Sequence, residues 1–143
     1  MIKIFLFPLC AIFCVNTVCA NDLNAQVNSA IGKMIENFDL KQNSLKIDEY
    51  TNLIKIHHRG GDKILTFTHE VDVNAMINRD YLDDSRAVAI TNANTQTVCS
   101  SGFGILVKNG LVNVEHVFVE KKSKHLVLKY LISSKDCEVA NEK

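Results

Sequence analysis

Five histidines, five cysteines and two adjacent carboxylate pairs are the first side chains in this 143-residue chain to weigh for chemistry. His57 and His58 are neighbours in an apolar, β-branched run (50–58) that reads as a strand. Successive strand side chains point to opposite faces, so these two imidazoles cannot share an ion. His69 lies in the next such run, 63–71. With Gly60 and Gly61 as a two-residue hairpin loop, Arg59 faces Asp62, Ile54 faces Phe67 and His57 faces Ile64. His69 is then five positions further on, ~17 Å away. His116 and His125 are separated in the same way, and the His-Glu-x-x-His spacing of helical zinc sites is absent. The expectation is no metal and no cofactor, with the histidines as satisfied surface groups.

Nucleophilic catalysis has no footing either. There is no Gly-x-Ser-x-Gly elbow. The run Ser100-Ser101-Gly102-Phe103-Gly104 lacks the third glycine of a dinucleotide fingerprint and the lysine of a P-loop. Asp48-Glu49 and Asp83-Asp84 are pairs adjacent in sequence, which read as solvated loop residues. The lysines at 121, 122 and 124 form a charged turn of the kind that discourages edge pairing. Sixteen basic residues balance sixteen acidic ones, so no electrostatic footprint for nucleic acid or an anionic membrane exists. A non-enzymatic protein is expected.

Residues 1–20 carry one lysine, an apolar stretch from Ile4 to Val15, and Val18-Cys19-Ala20. That is the layout of a secretory signal peptide with cleavage after Ala20, and the stretch is shorter than the ~20 residues that span a bilayer. No stable membrane span is expected once it is removed. Leu9, Phe13 and Val18 precede the three cysteines of this segment, where a lipid-modified cysteine follows a small residue. Only Cys99 and Cys137 then remain in the single domain 21–143, and an even pair in a periplasmic or secreted protein reads as one disulfide. The loop they close spans about 38 residues, for which chain entropy predicts about 4 kcal/mol.

The elements needed to position these groups follow from periodicity. Leu23, Val27, Ala30, Ile31, Met34 and Phe38 recur at helical spacing. After the first hairpin, Asp72 suits the cap of a turn through Met76 and Ile77. A second helical segment starts near Asp84 or Ser85, with Ala87, Ile90, Ala93 and Thr97 on its inner stripe. A short helix over 103–108 ends at Asn109-Gly110. Runs 111–120 and 125–133 form a second hairpin. With Lys122 and Ser123 as its loop, Val117 and Val119 oppose Leu128 and Leu126, on the face that carries Tyr130 and Ile132. The opposite face holds Val112, Val114, Phe118, Val127 and Leu131, so this hairpin has two apolar sides. One takes the helices. The other needs a cover from this chain, a second subunit or a ligand, and these five are the candidate partner-binding residues. The fold expected is α+β: a four-stranded meander of two antiparallel hairpins against an N-terminal and a middle helix, with one disulfide.

The stretch TQTVCSSGFGILVKNGLVNVEHVFV (95–119), followed by a strand and SSKDC, resembles small exported bacterial proteins of the AspS-type pilotin class of type II secretion systems. In that class a helix ends at a cysteine, a short helix and a glycine lead into a hairpin, and a second cysteine closes the bridge. Cys99, Gly110 and Cys137 occupy those places. Such pilotins are lipoproteins that bind a segment of an outer-membrane secretin. The resemblance implies an accessory protein of the bacterial envelope that holds a peptide segment through an apolar face or an open sheet edge. The second reading is an inhibitor or immunity-type protein that blocks an enzyme with a loop, Gly60-Gly61 or the 121–124 turn.

Overall fold

The computed structural model of the chain describes residues 16–37, 44–73 and 84–140. Residues 1–15 of the expected signal peptide, Phe38 and the turn expected around Met76 and Ile77 lie outside the described residues. The elements in chain order are α1 (Asn16–Asn37), β1 (Leu45–Lys46), β2 (Thr51–Arg59), β3 (Ile64–Val71), α2 (Asp84–Ser100), α3 (Gly104–Lys108), β4 (Asn113–Glu120), β5 (Leu126–Ile132) and α4 (Ser134–Ala140). α1 starts before Ala20 and continues past the expected cut. None of the described helices is long and apolar enough to cross a membrane.

The α+β class holds, but the sheet differs from the expected four-stranded meander. It has five strands in the order β1-β2-β3-β4-β5, and β3 and β4 at its centre run parallel. Parallel neighbours need a crossover connection, and here that connection contains α2 and α3. The hairpins on either side are antiparallel.

The first hairpin is shifted by two residues from the expected register. Arg59 pairs with Ile64, His57 with Thr66 and Ile56 with Phe67. The loop is four residues long, because the Lys63 amide bonds the Gly60 carbonyl at 3.2 Å and Lys63 itself takes the left-handed conformation, φ 54°. A type I-like turn followed by one left-handed residue replaces the two-glycine turn. In the second hairpin Val119 pairs with Leu126, as expected. A bulge then advances β5 by one residue, so that Phe118 meets Leu128 and Val117 meets Lys129.

Cross-strand partners share a face, so these registers define rows. On one side run His58–Leu65–Val114–Ile132, then Ile56–Phe67–His116–Tyr130, then Leu53–His69–Phe118–Leu128. All four helices meet this side: Val27 and Ile31 of α1, Cys99 of α2, Val107 of α3 and Cys137 of α4 join Leu65, Val114 and Ile132 in one core. Val27, Ile31, Met34 and Ile35 keep the helical spacing of the α1 stripe, whereas Leu23 and Ala30 lie exposed. On α2, Ala93 and Thr97 face outward, and Ile90, Asn94 and Val98 turn inward.

The C-terminal end is built by local chemistry. Gly104 packs so closely that a Cβ there would lie 2.4 Å from the Cys99 carbonyl oxygen, and Gly110 ends α3 with φ +65°. α4, not expected from the sequence, is started by Asp136, whose carboxylate accepts the Ser133 amide at 2.7 Å and the Ser133 hydroxyl at 2.7 Å. That is one half of a capping box. α4 brings Cys137 to Cys99, Cα–Cα 5.3 Å, and the two are disulfide-bonded across 38 positions. Replacing both cysteines by alanine should lower unfolding stability by about 4 kcal/mol. Urea denaturation with and without reductant checks this: only the unaltered chain should respond to the reductant.

Candidate functional site

The five residues expected to share an apolar binding face are divided between the two sides of the sheet. Val112 and Val114 are completely buried and Phe118 nearly so, within the helix-covered side. Leu131 pairs with Glu115 on the opposite side and is 46% exposed. Val127 sits at the β5 bulge, half-buried and without a strand partner in the register. The one-residue slip at that bulge is the physical cause, since it exchanges the faces of everything beyond it.

The side that no described helix covers has its own rows: His57–Thr66–Glu115–Leu131, Lys55–Thr68–Val117–Lys129 and Asn52–Glu70–Val119–Leu126. Its centre is a polar clasp. The Lys129 ammonium donates to Glu115 at 2.8 Å and the Thr66 hydroxyl donates to the other carboxylate oxygen at 3.0 Å. The Lys129 hydrogen bond holds the Glu115 carboxyl below its usual range, against partial burial that pushes it up; Thr66 and the charges of Lys129 and Arg59 add to the lowering. Lys129 is thereby held on β5 beside the exposed Leu131.

Beyond Lys129 lies the edge of the sheet. β5 reads LVLKYLI, with one charge in seven residues, and among the described residues no strand pairs with its outer side. Leu126 is 61% exposed. The opposite edge is guarded differently: β1 is two residues long, and β2 presents Lys55, His57 and Arg59 on its open side. Short and charged edges resist strand addition; a long apolar one invites it.

The turn before β5 is tied down. The Glu120 carboxylate accepts backbone amides at Ser123 and Lys122, which lowers its pKa to about 2. Lys124 pairs with Glu70, and Lys121 with Asp72 at 3.5 Å. The lysine turn is thus bound to the sheet rather than projecting as a free tip. In the other proposed tip, Arg59 and Asp62 are 3.7 Å apart and both well exposed.

The histidines do not all lie on the surface. His57 and His58 occupy opposite faces, as expected, and His125 is exposed. His69 and His116, however, are buried on the helix-covered side and hydrogen-bonded, Nε2 to Nδ1, at 3.0 Å. They stack with Phe67, Phe118 and Tyr130, ring centroids 4.4–5.5 Å apart for the closest contacts. The contact follows from the parallel β3–β4 pairing. Its trace in the sequence is the complementary alternation Phe67-x-His69 and His116-x-Phe118. Asp48 of the carboxylate pair serves its own turn, accepting the Tyr50 amide at 2.8 Å and the Thr51 amide at 2.7 Å. No group of three or more metal-ligating side chains occurs among the described residues.

Fold and surface together define a disulfide-tied two-layer α+β protein in which, among the described residues, no helix covers one sheet face and no strand pairs with the apolar β5 edge. No family model and no curated protein matches the chain. Two solved structures share its fold. One is a protein of Pseudomonas aeruginosa inferred to be secreted: 16% identity, TM-score 0.63, covering 80% of this chain and 95% of that one. The other is EpsS, the pilotin of the Vibrio vulnificus type 2 secretion system: 8% identity, TM-score 0.58, covering 82% of this chain and 94% of that one. At such identities the likeness is one of fold.

Lys129→Ala should let the Glu115 carboxyl rise toward its ordinary value and cost about 1 kcal/mol or less, because Lys129 is half exposed. Carboxyl carbon shifts followed against pH test the first expectation; an unmoved Glu115 titration would show that Thr66 and Arg59 hold it without Lys129.

Proposed function

We propose that this chain is an exported, non-enzymatic accessory protein of the bacterial envelope that holds an extended peptide segment of a protein partner along the edge of β5. The observation that carries this reading is the seven-residue apolar edge strand with no neighbouring strand among the described residues. Unpaired backbone amides and carbonyls in a row supply affinity to an added strand, and alternate side chains supply selectivity. Leu126 and Leu131 offer apolar contacts on the bare side, and Lys129 between them offers a charge for an acidic residue. A second copy is the poorer fit. Antiparallel addition centred on β5 sets Lys129 against its own counterpart, and like charges directly opposite are destabilising.

Export is supported by the signal-like residues 1–20 and by the disulfide, a bond that persists in oxidising compartments. A fold shared with a secretion-system pilotin supports a partner within an envelope complex.

The test is site-specific photo-crosslinking in the host. Probes at Leu126 and Leu131 should capture one envelope protein, with the linked peptide mapping to a single extended segment. A probe at Val88, equally exposed on α2, should not capture it. Leu131→Asp should cut the crosslink at Leu126 at least tenfold while leaving the fold intact. Capture of a soluble enzyme from probes at 60–63 or 121–124 would instead establish the inhibitor reading, and silence along β5 would end the edge-binding one.

A further inference from the structure

The buried His69–His116 pair has no part in the reading above. Among the described residues, the buried side-chain atoms that lack a hydrogen-bond partner are Thr51 Oγ1, His69 Nδ1 and His116 Nε2. They lie on one side of the sheet, in successive rows: Thr51 and Leu53 on β2 pair with Val71 and His69 on β3, and His69 reaches across to His116 on β4. Each neutral imidazole carries one N–H. Whichever ring donates in the shared hydrogen bond, one outer nitrogen is left an unpaired donor and the other an unpaired acceptor. Leaving buried polar groups unpaired is costly. All three atoms are sealed from solvent. The patch therefore has no space for a ligand as it stands, and it would gain hydrogen bonds with water if it opened.

Its position decides what opening would separate. His69 belongs to the N-terminal hairpin, and His116 to the half that the Cys99–Cys137 bridge ties together. Their hydrogen bond crosses the parallel β3–β4 pairing, where the two halves meet. We propose that this pair is an acid-opened seam, which holds the N-terminal hairpin to the disulfide-bonded half at neutral pH and releases it in mild acid.

The groups around the pair favour that behaviour. From β2 and β3 it meets Leu53 and Phe67, from β4 Phe118, and from β5 the Tyr130 ring, whose hydroxyl accepts the Asn94 amide of α2. α1 brings Val27 and Ile31 to the same side. The one carboxylate that acts on His69 is Asp48, in the turn before β2, and its effect is outweighed by burial. For His116 burial is again the leading cause, and the charge of His69 adds to it. Both imidazoles are lowered to about 4 from an ordinary 6.5.

The direction follows by linkage. Above pH 6.5 both rings are neutral in either state. Between 6.5 and 4 the opened form takes up protons that the closed form refuses, so closure is lost progressively as pH falls across that window. With those values, protonation of one histidine alone multiplies the opened population by about 30 at pH 5.

Two measurements on the chain recovered from its host decide the matter: imidazole proton titration by NMR, and amide exchange of each strand corrected for intrinsic rate. The proposal expects His69 and His116 to titrate below about pH 5. It also expects amides in 64–71 to lose about 30-fold or more of their protection between pH 7 and pH 5, while the β4–β5 pairing keeps its own. In His69→Phe/His116→Phe, which replaces both partners by rings of similar shape, that acid response should vanish. Titration near 6.5 with unchanged protection would overturn the proposal, as would uniform loss from every strand. If the double variant does not fold, the contrast between β3 and β4–β5 in the unaltered chain still gives the answer.

Discussion

The parallel pairing of β3 with β4 is the constraint from which most of this architecture follows. Two antiparallel hairpins set side by side in parallel cannot be joined by a short turn, so the chain must leave the sheet and return. The return contains α2 and α3, and α1 and α4 are drawn to the same side by the core they share with Leu65, Val114 and Ile132. One face of the sheet is therefore packed, and no described helix lies on the other. The same pairing makes β5 an edge, because the second hairpin can add to the first only through β4. A meander would have given different neighbours to every strand.

Two bulges then decide which side chains are presented. In β2 the shift near Ile54 keeps Thr51 and Leu53 on the covered side while Ile56 also turns inward. In β5 the shift beyond Val127 sends Leu128, Tyr130 and Ile132 inward and Lys129 and Leu131 outward. An unbulged β5 would have buried the opposite set, with Lys129 set into the apolar core, where an unpaired charge is costly. The bulge thus lets an apolar strand place its single charge outside, on Glu115.

The sequence made the two hairpins, α1, the short α3 with its Gly110 stop, and the Cys99–Cys137 pair legible, because each rests on local periodicity, a turn residue or cysteine parity. It did not make the β3–β4 pairing legible. Strand order and direction depend on which apolar surfaces meet at long range, and that information is spread over 64–71 and 113–120 without a local signal. The candidate face failed for a narrower reason: one bulge residue, Val127, reverses the faces of β5, and period-two reasoning carries no warning of it. Spacing along one hairpin makes His69 and His116 look like surface groups, whereas their contact spans two hairpins. The α4 start was written plainly in Ser133-Ser134-Lys135-Asp136, a capping pattern that reading 125–133 as a strand end left unused.

Rigidity is what separates the β5 edge from the other exposed apolar side chains. Leu23, Ile47, Val88, Ile105 and Val139 are also exposed, but each stands on a turn or a helix and offers no row of backbone groups, and Leu45 stands on β1, which is only two residues long. β5 is fixed at both ends. Before it, Glu120 and Glu70 hold the lysine turn; after it, the Asp136 cap leads within one helical turn to the Cys137 bridge. An added strand would meet an edge that is already ordered, so the entropy cost of association falls almost wholly on the incoming segment. A short extended segment of a larger partner is the kind of ligand for which that economy matters most, since it brings few side chains and many backbone groups. If the β5 edge takes a strand as proposed, the disulfide would serve binding as well as folding, because it ties α4, which follows β5, to α2.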